Sequence, residues 1–193
     1  MNNDEILKVM AASHSGATVH CMDFAFRSLR AAEIQARRIW NREPAPSQHD
    51  VEATKRFYQD IFIDIHFYFI ALRNVYRYLA KAVRDPAFDA FRPELAELND
   101  RWFVRYAKGR EVFEHIDQRL PGEIHESRIV EIVDDRGGRR KIHFGFKPKR
   151  GVFTHSNEEW DITTNTFDRI SADVKSLLSR MVDSCSSTDL PQP

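Results

Sequence analysis

The sequence predicts a mainly α fold: a bundle of three long helices plus a C-terminal helix, with a small β-hairpin inserted before the last. Three observations carry this. The run from Phe57 to Val83 has no Gly or Pro, which allows an unbroken helix of more than seven turns. A second helical spacing runs from Glu94 to Leu120. Between residues 128 and 146 the texture changes to strand-like alternation around a Gly-rich turn.

The Phe57–Val83 run is predicted to be the central helix, because Ile61, Ile63, Ile65, Phe67, Phe69, Leu72, Val75 and Leu79 occupy nearly every face. A helix apolar all round is one that neighbours surround. Asp60, Asp64, His66 and Arg73 interrupt it, so it does not read as a membrane span. Before it, residues 4–41 predict a first long helix with Asn3 or Asp4 as its cap and a weak point from Ser13 to Gly16. The stretch Ser47 to Asp50 offers a cap for the central helix, and Asp85–Pro86 suits the start of a new element.

In the third helix Trp102, Tyr106, Gly109, Phe113, Ile116 and Leu120 form one stripe, and Pro121–Gly122 ends it. Arg128–Asp134 and Arg139–Phe146 flank the turn residues 135–138 as a hairpin. Gly151–Thr154 and Trp160–Ile162 are candidates for further strands. Thr163 to Val182 returns to helical spacing. At 193 residues the chain suits one domain over residues 1–185, with 186–193 as a flexible tail.

The formal net charge is zero, so the whole molecule is no polycation. Residues 128–150 nevertheless carry eight Lys or Arg against three acids, whereas residues 151–193 carry three against seven. Any footprint on an anion is therefore local. Cys21 and Cys185 lack metal-ligand or CxxC spacing and read as free thiols in a reducing compartment. No export signal is visible at the start, so the cytoplasm is the expected location. No glycine-rich phosphate loop, metal cluster or nucleophile motif is present, and neither cofactor nor metal is expected.

Polar residues on the central helix fall into two rows. His66, Arg73 and Arg77 share one line, with Gln59 below; Asp60 and Asp64 lie on another face. They read either as structural ion pairs and solvated edges, or, for His66 and Arg73, as the lining of an anion-binding groove.

Late in the third helix, Arg110 is followed five residues later by His115, within the run Gly109 to Asp117. This Arg-x4-His spacing in a helical context resembles the signature of HEPN-type proteins. Many of those are metal-independent ribonucleases of toxin–antitoxin and phage-defence systems, built as compact α-helical bundles that commonly dimerise around two copies of the motif. The position after the Arg is often Asn or another small polar residue in that family, whereas here it is Glu111.

The resemblance implies RNA cleavage with His115 as acid or base and Arg110 holding the phosphate. Glu114 or Asp117 would orient them, and Arg73 and His66 would complete the groove. These residue types suit the task, since His titrates near neutrality and Arg is a permanent cation with a fork for phosphate oxygens. The implied partners are a second copy of the chain, RNA, and a protein antitoxin or other protein, with no membrane.

Five helical residues separate two side chains by about 140°. Arg110 and His115 therefore meet only if the helix is irregular near Gly109 or a second subunit supplies half the site. Arg150 and His155 repeat the spacing outside any helical segment. The basic run with Arg139, Arg140 and Lys141 reads as an RNA contact or as the solvated face of the hairpin. The competing class is a non-enzymatic helical interaction module, in which Arg110 and His115 are ordinary helix residues.

Overall fold

The computed structural model describes residues 2–12, 15–42, 50–114, 130–133, 139–142, 145–147, 150–155 and 158–185. The architecture is mainly α, as expected. Helices α1 (Asn3–Ala12), α2 (Gly16–Trp40), α3 (Val51–Ala82), α4 (Arg92–Leu98) and α5 (Val104–Glu114) precede the strands, and α6 (Thr164–Ser184) follows them. Strands β1 (Val130–Val133), β2 (Arg139–Ile142), β3 (Gly145–Lys147), β4 (Val152–His155) and β5 (Glu158–Asp161) form two antiparallel sheets, ordered β1-β2 and β3-β4-β5.

Helix starts follow side-chain chemistry. Asn2 caps α1, accepting from the Glu5 amide while Glu5 accepts from the Asn2 amide, a reciprocal box placed before the expected Asn3 or Asp4. Ser15, Asp50 and Thr163 cap α2, α3 and α6. Asp85 caps a 3₁₀ turn, Pro86–Phe91, with Pro in its first turn. Helix α1 ends at Ala12 and α2 begins at Gly16, on either side of the expected weak point.

Helices α2 and α3 run antiparallel along each other. Near one end Phe24 stacks on Tyr78 at 5.3 Å; near the other Arg38 and Arg42 reach Asp64. Asp64 is 1% exposed and takes Arg42 at 2.5 Å and Arg38 at 3.2 Å, while Arg42 also reaches Asp60 at 3.2 Å. Burying a lone carboxylate costs several kcal/mol, roughly, and two guanidinium groups offset that cost here. The Asp60/Asp64 row is thus structural.

The third long helix is not continuous. A π-helical turn, Asn99–Phe103, separates α4 from α5. It presents Trp102 to α6, where the indole N–H donates to Asp173 at 2.8 Å. Residues 115–120 of the expected helix lie outside the described residues.

The hairpin also needs correction. β1 and β2 pair as expected, with Val130 opposite Ile142 and Val133 opposite Arg139, but β2 ends at Ile142. Gly145–Lys147 belongs to the other sheet, with Phe146 opposite Phe153. Phe153 and Trp160 are fully buried and draw this sheet onto α3 and α5. Gly151 makes the turn into β4 with φ +61°, and any Cβ there would stand 2.4 Å from the Trp40 ring. The Trp40 indole in turn donates to the Ile162 carbonyl at 2.7 Å, fixing the C-terminal end of α2 to the entrance of α6. Among the described residues no helix is long and apolar enough to cross a membrane.

Helix α5 comes close to α3 at Gly109, where an added Cβ would lie 2.6 Å from Cε2 of the fully buried Phe69. Alanine favours a helix over glycine by about 1 kcal/mol, yet overpacking a closed core costs about 1–3 kcal/mol. Gly109→Ala is expected to lower the urea midpoint, and Phe69→Leu in the same chain to recover part of the loss. A raised midpoint for Gly109→Ala alone would show that the seam has slack.

Candidate functional site

Of the candidate residues, His66 and Arg73 lie on α3 and Arg110 on α5, the two helices that pack along one seam. Phe69 faces Gly109, and one turn further along α5 Phe113 stacks on His66 with ring centroids 5.2 Å apart and planes 10° from parallel. Phe113 stacks in turn on Phe153 of β4 at 4.9 Å, so the imidazole ends a column of rings anchored in the sheet. Stacking of this kind contributes about 0.5–1.5 kcal/mol per pair and fixes the plane of the imidazole. His66 is half-buried and also lies against Phe67.

Arg110 follows Gly109 on α5 and is half-buried. Arg73, two turns along α3 from His66, is half-buried as well. Arg77, the last member of that row, is exposed. Two helices that pack together therefore carry His66, Arg73 and Arg110.

The other predicted residues are placed differently. Glu114 is the last residue of α5. His115 and Asp117 lie outside the described residues. From Val104 to Glu114 the helix is regular, and its irregular turn lies upstream at Asn99–Phe103 rather than next to Gly109. Arg139, Arg140 and Lys141 make up most of β2, opposite Val133, Ile132 and Glu131 respectively. The second Arg-x4-His pair falls on the turn at Arg150 and the end of β4 at His155.

Beneath the seam sits a buried polar arrangement that sequence reading did not single out. The Tyr106 hydroxyl donates to the Asp161 carbonyl at 2.5 Å, and the Tyr68 ring meets Tyr106 edge-on at 5.8 Å. Burial pushes both phenols above their usual range, helped for Tyr68 by Tyr106 and for both by the Asp161 charge. Burial opposes the Asp161 charge, but the Thr163 amide at 2.8 Å and the Thr166 hydroxyl at 2.7 Å outweigh it and hold this carboxyl below its ordinary value. The Trp160 indole donates to the Arg105 carbonyl at 2.7 Å and completes the attachment of β5 to α5.

A separate groove of about 550 Å³ lies between α4, the π-helical turn and α6, lined by Pro93, Glu94, Glu97, Asp173 and Arg180 among others. Ion pairs Glu94–Arg180 and Arg101–Asp173 cross it, and it contains none of the predicted site residues. Comparison with protein-family models, curated proteins and solved structures finds no match to this chain.

The two core tyrosines predict an alkaline limit. Their folded pKa values lie above the unfolded value of about 10, so the stability they confer is complete below pH 10. It is lost as the pH climbs from there, with a slope of up to about 1.4 kcal/mol per pH unit for each tyrosine. Denaturant unfolding between pH 8 and 11.5 is expected to show this loss, and Tyr106→Phe to make the alkaline slope shallower. An unchanged slope would assign the loss to other groups.

Proposed function

We propose that the protein is a HEPN-like, metal-independent endoribonuclease or an RNA-binding relative of such enzymes, acting on RNA in the cytoplasm. The observation that supports this reading is the packing of α5 on α3, where His66 is held in a ring stack against Phe113 and Arg110 lies one turn before Phe113 on α5. A permanent cation beside a titratable ring is what a phosphodiester needs: Arg110 neutralises the phosphate and His115 moves the proton of the attacking 2′-hydroxyl or leaving oxygen. The Arg-x4-His spacing on a regular helix would set the two side chains about 140° apart, and on that geometry a working site draws its second half from another copy of the chain. A bacterial defence role, with a protein antitoxin restraining the activity, follows from the same resemblance.

The test is cleavage of a mixed RNA pool, with chelator present, by the wild type, Arg110→Ala and His115→Ala, each shown to be equally folded. Loss of one general acid–base group is expected to cost about 100-fold or more. Equal activity in all three proteins would remove both residues from the chemistry.

A second reading has its own support. Ile63 and Phe67 lie one turn apart on α3 and are 52% and 51% exposed, an apolar pair suited to a partner helix. On the interaction-module reading, sedimentation of the pure protein shows self-association that Ile63→Asp with Phe67→Asp abolishes and Arg110→Ala leaves intact. Association that survives the double substitution would leave this face without a role.

A further inference from the structure

Four exposed cations converge where α5 meets the three-stranded sheet. Lys147, at the end of β3, reaches Glu159 at 2.6 Å, and Arg150 approaches the other oxygen of the same carboxylate at 3.4 Å. Arg105 donates to the Glu159 backbone carbonyl, and Lys108, one turn further along α5, lies 3.9 Å from Glu158. The side chains of Lys108 and Arg150 are each 62% exposed and that of Lys147 47%. Four cations around Glu158 and Glu159, with the Asp161 carboxylate also acting on Arg105, leave an excess of one positive charge among the described residues of this cluster.

The excess is not explained by stability, since exposed ion pairs contribute only about 0–1 kcal/mol each. The hydrogen bond from Lys147, with the charges of Lys147, Arg150 and Arg105, holds the Glu159 carboxyl below its ordinary value. The cations themselves repel one another, and an arriving phosphate relieves that repulsion. Lys147 and Arg150 close the basic run of residues 128–150, and the fold brings Arg105 and Lys108 of α5 beside them.

We propose that this cluster is a phosphate-contacting surface for single-stranded RNA, on the flank of α5 that faces β5 rather than α3. The inference rests on RNA being the ligand of this protein. The seam and the cluster occupy two flanks of one helix about 10 Å across. A flexible strand can follow that curvature, whereas a flat lipid surface or a stiff duplex cannot. Bases contacting phosphates supply affinity without sequence preference.

The experiment measures anisotropy of a fluorescent 2′-O-methyl RNA, which cannot be cleaved through its 2′ position, across a salt series. The proteins are the wild type, Lys108→Ala with Arg150→Ala, and Glu159→Gln, each with wild-type circular dichroism. Each phosphate contact contributes about 0.7 to the slope of log affinity against log salt for single strands. The double variant is therefore expected to bind several-fold more weakly with a slope about 1.4 smaller. Glu159→Gln removes a negative charge and is expected to bind more tightly than wild type. Equal affinities and slopes in the three proteins would overturn the proposal, as would polyglutamate competing as well as RNA. If the double variant matches wild type in binding while cleavage still requires Arg110 and His115, this surface is overturned and the nuclease reading stands. If wild type binds no RNA, both are overturned.

Discussion

The close approach of α5 to α3 depends on one contact, the flat ring of Phe69 against the bare backbone of Gly109. Phe69 is fully buried and has aromatic neighbours on every side: Tyr68 on its own helix, Tyr106 and Phe113 on α5, Phe153 and Trp160 on the sheet. Because α5 comes this near, Phe113 reaches back to His66, and Tyr106 and Trp160 are held between helix and sheet. A side chain at position 109 would separate the helices and break the ring column that ends in the imidazole. The candidate site is thus a consequence of core packing.

Polar groups fasten the ends of the bundle where packing alone would leave it loose. At one end the Thr18 hydroxyl donates to Asp85 at 2.8 Å, joining the start of α2 to the turn that follows α3. At the other, Arg42 and Asp64 join the end of α2 to α3, and Trp40 joins it to the start of α6. Each link is buried or half-buried, where a lost partner costs more than at the surface. With both ends fixed, α2 is held to α3 and to the start of α6.

The helices were legible because their evidence is local. Caps such as Asp50 and Thr163, the absence of breakers in α3, and the stripe through Tyr106 and Phe113 are written within a few residues of the features they produce. The strands were partly legible. Alternation through Ile142, Phe144 and Phe146 suggested one strand, yet Phe146 takes its partner from Phe153 in the other sheet, and strand partners separated by a turn are not encoded in alternation. The row containing His66 and Arg73 was visible as helix geometry, and the buried role of Asp64 became clear only once Arg38 and Arg42 arrived from α2. Nothing near Arg105 and Lys108 in sequence announces their contacts with Glu158 and Glu159.

The π-helical turn at Asn99–Phe103 has a consequence for how this protein can change over time. Such a turn accommodates one residue more than the α-helix around it, and one residue corresponds to about 100° of helical phase. Arg92–Leu98 and Val104–Glu114 are therefore two helical frames held out of phase, with Trp102 at the junction tied to Asp173 on α6. A lineage that dropped a residue here would keep a smooth helix of nearly the same length. Gly109 would then no longer face Phe69, and Arg110 would turn with it. In this segment a deletion is a rotation.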